Sequence, residues 1–184
     1  MYDRGVRDAQ MNLLDSHDTA RFLSIAGEDV AALKLATLCQ MTFPGAPSVY
    51  YGDEVGMLGA KDPDCRRAFP WDEATWNVEL RDYFKHCIAL RKRYRALRDG
   101  EWRVVLAAGD VIAYLRAWGD EKLIVALNSG TATTVEIVVR DVLPEGARLQ
   151  VEMGRHADYI VTDGALGNVF LPEREGVVLR LLTT

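Results

Sequence analysis

An imidazole and a carboxylate stand side by side at His17 and Asp18, inside the stretch MNLLDSHDTARFL that runs from Met11 to Leu23. Such a pair can polarise or hydrogen-bond a substrate hydroxyl, and it can bind a metal ion. The plainer alternative is a capping Asp beside a partly buried His, and the dipeptide alone does not choose between them. A second charged pair, Asp62 and Arg66, lies in KDPDCRRAF. Carboxylates and guanidinium groups hold polyhydroxylated ligands through paired, charge-assisted hydrogen bonds, though Asp62 and Arg66 can equally form a loop salt bridge. Asp53 and Glu54, in YYGDEVG, add two acidic groups, and Trp71, Trp76, Tyr50 and Tyr51 offer faces on which a sugar ring can stack. Isolated aromatics, however, are more often core. A metal-dependent hydrolase built on His17, Asp18 and Asp53 lacks a ligand set at metal-site spacing, so neither a metal nor another cofactor is expected.

These groups follow apolar runs that must position them. Met11, Leu13 and Leu14 read as a short buried strand ending at Asp15, and SVYYG, Ser48 to Gly52, as a second. Between them EDVAALKLATLCQM, Glu28 to Met41, predicts a helix packed on both sides. Val30, Leu33, Leu35, Leu38 and Met41 cover most of its circumference, and FPGAP stops it. A polar loop from Asp53 to Thr75 leads into a second helix over Trp76 to Leu97, with Leu80, Tyr83, Phe84, Cys87, Ile88, Arg91 and Tyr94 at helical spacing. Strand, helix, strand, helix implies parallel strands with helical crossovers, a scaffold that presents chemistry at its strand ends. The pattern changes near Asp99 and Gly100. Beyond them EWRVVLAA, GDVIAYLRAW, GDEKLIVAL, TTVEIVV, RLQVEM, YIVTDG and EGVVLRLL alternate with turns, which predicts an antiparallel β-sandwich. The domains are therefore expected at 1–99 and 100–184. Two parallel strands cannot close a barrel, which takes eight such units and ~250 residues. The open edge needs cover, from a larger protein or from self-association.

The bulk properties narrow the partners. Over 184 residues, 22 Lys+Arg stand against 27 Asp+Glu, a net charge of -5, which argues against nucleic acid. The basic run from Arg91 to Arg98 is broken by apolar residues and reads as a solvated helix end, where the dipole favours cations. Cys39, Cys65 and Cys87 are widely spaced and odd in number, which fits a reducing, cytoplasmic setting, with Cys39 and Cys87 on apolar helix faces. No apolar run approaches the ~18 residues of a membrane span, so no membrane partner is expected, and MYDRG is no signal peptide.

Read together, NLLDSHDTARFL and PGAPSVYYGDEVGMLGAKDPDCRRAFPWD closely resemble the last part of the α-amylase superfamily barrel, in its cyclomaltodextrinase, neopullulanase and maltogenic amylase group. The resemblance is strong from Asn12 to Asp72 and extends through the last barrel helix into the β-sandwich. Ala68 departs from it, standing where Pro is expected after the paired arginines. The resemblance implies the last two β/α units of a (β/α)8 TIM barrel followed by the sandwich, an α/β plus all-β chain. It implies that Asp18 is the carboxylate that is neither nucleophile nor general acid and helps hold a distorted sugar ring. It makes His17 a donor to the same sugar, makes Asp62 and Arg66 the pair that holds a sugar further toward the non-reducing end, and leaves Asp53 and Glu54 structural. A retaining glycosidase needs a nucleophile and an acid ~5–5.5 Å apart. In this family both lie on earlier strands, and only ten residues precede Met11. The expectation is a C-terminal part of an α-glucan hydrolase, acting on maltodextrins, cyclodextrins or pullulan and inactive alone. The alternative is a non-catalytic sugar-binding or protein-interaction chain of the same origin.

Overall fold

A computed structural model describes residues 3–155 and 157–182. Residues up to Lys92 form one unit and residues from Arg93 a second. The first opens with a short helix, α1 (Arg4–Asp8), and a strand, β1 (Met11–Leu13). After a one-turn helix, α2 (Phe22–Ile25), a long one, α3 (Val30–Thr42), leads to a second strand, β2 (Ala46–Ser48). The two strands run parallel, with Met11 opposite Ala46, Asn12 opposite Pro47 and Leu13 opposite Ser48. The expected crossover is therefore present.

Three boundaries differ from the sequence expectation, each for a local reason. Helix α3 starts two residues late because Glu28 is held at φ 64, outside the helical region, and Asp29 caps the helix by accepting the Ala32 amide at 3.0 Å. Strand β2 is shifted toward the N-terminus of SVYYG because its partner β1 ends at Leu13 and Gly52 turns the chain at φ 89. The second helix is not continuous to Leu97. Asn77 caps its first turn by accepting the Leu80 amide at 3.0 Å, so α4 spans Val78–Arg93, and Tyr94 adopts an extended conformation before α5 (Arg95–Asp99).

Both strands were expected to be buried, and they are not: Met11 is 65% and Leu13 43% exposed. Among the described residues each strand pairs only with the other, so each has an open edge. The first unit's core lies instead among the helices, where Leu23, Leu33, Leu80 and Phe84 pack together with Leu14, Phe22, Val30 and Leu58 against them. Gln40 of α3 ties the helix to both strands by donating to the carbonyls of Asn12 at 3.0 Å and Ser48 at 2.9 Å. The basic run is likewise not simply solvated. Arg91 reaches back to the C-terminal end of α3 and donates to the carbonyls of Met41, Phe43 and Gly45.

The second unit is antiparallel. Hairpins with Gly109 and Gly119 at φ 56 join β3 (Glu101–Ala108), β4 (Val111–Trp118) and β5 (Glu121–Asn128). Together with β7 (Arg148–Met153), β8 (Asp158–Ile160) and β10 (Gly176–Leu181) they form a six-stranded sheet in the order β3-β4-β5-β10-β7-β8. A separate ribbon pairs β6 (Thr133–Val138) with β9 (Ala165–Leu171). Ile137, Leu166, Val169 and Leu171 of the ribbon share one core with Ala113, Leu115, Ile124, Leu149 and Leu179 of the sheet. Strand β9 escapes sequence reading because its register slips opposite Val135 and Ile137, with Asn168 at φ 54 interrupting the alternation.

Candidate functional site

The residues after β1 form a tight polar turn, and their identities explain it. The Ser16 amide donates to the Thr19 hydroxyl at 3.0 Å, and the Asp18 amide donates to the Ser16 hydroxyl at 3.2 Å. Short hydroxyl side chains thus take up backbone donors that a helix or sheet would otherwise use. The turn leaves His17 and Asp18 pointing outward, with side chains 66% and 69% exposed and His17 Nε2 3.3 Å from Asp18 Oδ2.

The loop after β2 brings the second pair to the same place. Asp62 joins Pro63 through a cis peptide, and Arg66 closes a single 3-10 turn, Asp64–Arg66. Arg66 Nε lies 2.9 Å from Asp62 Oδ1 and donates to the His17 carbonyl at 2.9 Å, while its Nη2 stands 3.6 Å from Asp18 Oδ1. The Cys65 thiol also donates to the His17 carbonyl, at 3.3 Å. All four residues singled out in the sequence therefore meet, with the Asp18 carboxylate between an imidazole and a guanidinium. Exposed ion pairs of this kind contribute only ~0–1 kcal/mol to folding. What the cluster offers is an accessible set of charged donors and acceptors on one patch.

The adjacent arginine does different work. Arg67 grips Asp64 through two bonds of 2.8 Å, and its cation holds that carboxyl below the usual range. Asp64 also accepts the Ala60 amide at 2.6 Å, and the Tyr51 hydroxyl donates to the Arg67 carbonyl at 2.8 Å. Arg67 shapes the loop and leaves Arg66 to the site.

Beneath the surface sits a cluster that the sequence reading did not isolate. Arg21 is fully buried, with Asp15 and Asp53 only 3% and 5% exposed beside it. Its Nη1 donates to Asp53 Oδ1 at 2.9 Å and to the Tyr51 carbonyl at 2.8 Å, and its guanidinium lies 4.5 Å from the Tyr50 ring centre and 4.9 Å from that of Tyr51. Burial, with the nearby Asp15 carboxyl adding to it, pushes the Asp53 carboxyl up to about 8. The signal was present in HDTAR and YYGDE, but an Arg and an Asp so far apart give no hint of pairing until the strands lie side by side. Asp53 thus faces Arg21 rather than joining His17 and Asp18, so the metal-centre alternative is not assembled. Among the described residues, no group of three or more His, Cys, Asp or Glu is arranged to hold a metal.

The four aromatics also divide. Tyr50 and Tyr51 turn their rings to Arg21, and Trp76 carries Arg81 at 4.8 Å and donates its indole N–H to the Pro70 carbonyl. Trp71 is 82% exposed, held edge-on by Phe69 with ring centres 4.9 Å apart. Among the described residues no helix is long and apolar enough to cross a membrane.

Residues 2–102, more than half of the chain, match the family model described as alpha amylase, catalytic domain. A cyclomaltodextrinase of Geobacillus thermopakistaniensis (strain MAS1) is 45% identical over 129 residues, covering 69% of this chain and 22% of that protein. Neopullulanase 2 of Thermoactinomyces vulgaris is 42% identical over 142 residues, covering 76% of this chain and 24% of that protein. The chain thus spans about a quarter of the length of these curated relatives. Among solved structures, the acarbose-soaked debranching enzyme of Nostoc punctiforme superposes with TM-score 0.81 at 38% identity over 97% of this chain and 35% of that one. The α-amylase of Geobacillus thermoleovorans complexed with acarbose gives TM-score 0.88 at 27% identity over all of this chain and 40% of that one.

Proposed function

This chain belongs to the α-amylase family, and from that premise we propose that it is the C-terminal part of a retaining α-glucan hydrolase. The longer protein hydrolyses α-1,4-glucosidic bonds in maltodextrins, cyclodextrins or pullulan. Residues 1–99 are the last two β/α units of its (β/α)8 barrel, and 100–184 are an antiparallel β-sandwich. Support for this division comes from the parallel β1–β2 pair with α3 between its strands, and from the two sheets of the second unit around one core. The low coverage of the relatives supports the partial character, as do the uncovered faces of β1.

One observation carries the functional reading: His17, Asp18, Asp62 and Arg66, from loops that follow two adjacent parallel strands, converge on one exposed patch. In this role Asp18 accepts hydroxyl hydrogens from the sugar in the cleavage subsite, and His17 donates to the same ring. Bonds that tighten as the ring flattens toward an oxocarbenium-like state stabilise the transition state rather than the ground state. Asp62 and Arg66 hold a sugar further toward the non-reducing end. The nucleophile and general acid belong to the rest of the longer protein, so this chain alone is inactive. Its open parallel edge also invites self-association.

The test is hydrolysis of β-cyclodextrin and maltotriose by the chain and by the longer protein, each beside Asp18→Asn. The chain should show no turnover, and the longer protein should lose orders of magnitude in kcat on Asp18→Asn, since cooperating catalytic groups act as a unit. Turnover by the chain that Asp18→Asn abolishes would place the nucleophile and acid within it and overturn the assignment. Full activity of Asp18→Asn in the longer protein would overturn the role of Asp18.

A further inference from the structure

The buried cluster beneath the site is built more elaborately than packing requires. Arg21 draws together three stretches of chain. Its guanidinium holds Tyr51 and Asp53 after β2, its backbone amide donates to the Gly59 carbonyl at 2.9 Å, and Gly59 in turn donates to the Ser24 hydroxyl at 2.9 Å. Gly59 approaches so closely that a Cβ there would lie 3.3 Å from Arg21 Cδ. Asp15, two residues before His17, accepts the Phe22 amide at 2.6 Å through Oδ2. Its other oxygen, Oδ1, is buried with no donor on it, and so are Arg21 Nε and Nη2 without acceptors.

Charge decides how such a cluster can exist. One guanidinium against two ionised carboxylates would leave a net negative charge out of water, at several kcal/mol for an unpaired ion. With Asp53 holding its proton beside Asp15, the three groups are neutral overall. A neutral Asp53 carboxyl can then offer its hydroxyl to the Asp15 oxygen that has no donor. Among the described residues Tyr50 and Tyr51 face Arg21, with Cys65 beside Tyr50, and burial with the neighbouring Tyr51 pushes Tyr50 up to about 12, so it stays neutral. Glu54 is turned away to accept the Gly52 amide at 2.8 Å.

We propose that Arg21 is the positioning residue of the sugar site, and that Asp15 and a neutral Asp53 clamp it in place. His17, Asp18 and Arg66 keep their places only while Asp53 holds its proton. The part concerning sugar rests on the functional reading above, whereas the clamp does not.

The test uses the whole chain labelled with 13C, in carbon-detected spectra that survive fast amide exchange at high pH. The reporters are the carboxyl carbons of Asp15 and Asp53 and the carbonyl carbons of His17, Tyr51 and Gly59, whose donors are named above. In the native chain the Asp53 carboxyl carbon should titrate with a midpoint near 8, and the three carbonyls should follow it. Asp53→Asn, which mimics the protonated group, should abolish that titration and keep the carbonyls at their neutral-pH positions. Arg21→Lys should displace all three carbonyls while leaving the second unit's sheet unchanged. The clamp is overturned if Asp53 titrates in the ordinary carboxylate range, or if it titrates high and the His17 carbonyl does not follow. Should Arg21→Lys unfold the first unit, the Asp53→Asn result still decides. Titration of acarbose below and above the midpoint separates the two claims. Weaker binding above it, removed by Asp53→Asn, supports both, while a working clamp with no pH effect on acarbose overturns only the link to sugar.

Discussion

Replacing Arg91 by Met should loosen the turn that delivers β2, and the size of the effect follows from the bonds removed. The last four carbonyls of a helix have no partner within it. Arg91 supplies a donor to one of them, with Nη1 2.8 Å from the Met41 carbonyl, and to two carbonyls of the turn beyond, Phe43 at 3.1 Å and, through Nη2, Gly45. Met keeps the apolar stem and removes all three bonds. A hydrogen bond to a charged group is worth about 1.5–3 kcal/mol net. Simple addition overstates the loss, because water reaches part of the vacated site and the freed side chain regains about 1–2 kcal/mol of rotamer entropy. The expected destabilisation of the first unit is ~2–4 kcal/mol. With a urea slope of ~2 kcal/mol/M, that lowers the midpoint by about 1–2 M. Hydrogen exchange of α3 and β2 amides through a urea series isolates this unit from the β-rich one. Arg91→Lys, a point cation without the planar fork, should recover less than half of the loss. A loss below about 0.5 kcal/mol for Arg91→Met would mean the three bonds are replaced by water at no cost, and the reasoning would fail.

Other outcomes follow from particular groups. Because the folded-state pKa of Asp53 is raised to about 8, its stabilising contribution is fully present below the unfolded value, 3.8, and is lost as pH rises toward 8. The slope is at most ~1.4 kcal/mol per pH unit. Asp8, Asp64, Glu79 and Glu152, all lowered, act in the opposite sense but only near and below their ordinary values of 3.8 and 4.5. Urea unfolding of the first unit between pH 6 and 8 should therefore show a decline that Asp53→Asn flattens; a flat native profile would refute it. Gly59→Ala places a Cβ 2.8 Å from Cys65 Cα and 2.9 Å from the Asp64 carbonyl oxygen, both backbone atoms. Overpacking of that kind should cost about 1–3 kcal/mol by urea unfolding. Arg66→Ala should leave the urea midpoint unchanged and weaken acarbose binding, whereas Arg67→Ala should speed hydrogen exchange of the Ala60 amide, held by the Asp64 that Arg67 grips. Equal behaviour of the two variants would contradict the division of labour between these neighbours.

Much was legible where short-range chemistry dominates. The three strands between Glu101 and Asn128 fall within a residue or two of the β-like runs and the Gly-Asp turns that separate them, since a hairpin is specified by neighbours in sequence. Helix α3 follows its apolar spacing, missing its start only because the left-handed Glu28 leaves no mark in composition. The family was readable for the same reason, because the turn at Ser16–Thr19 and the loop at Asp62–Arg66 are contiguous strings whose residue types carry their chemistry. Strand β9 and the break at Tyr94 were not readable, because each depends on what a distant element presents to it.

The sequence by itself determined which polar side chains stand close together along the chain, His17 beside Asp18 and Asp62 four residues before Arg66; that His17 and Asp18 point outward came from the folded turn. Tertiary structure alone decided their partnership. Pairing β1 with β2 sets residues some thirty positions apart against each other, so that Arg66 reaches Asp18 and the His17 carbonyl and Arg21 finds Asp53. An ion pair has no sequence period; its partners are chosen by the register of the strands that carry them. Whether Asp53 is a surface acid or half of a buried pair therefore depends on the pleated ladder at Met11 to Leu13 and not on any residue near it.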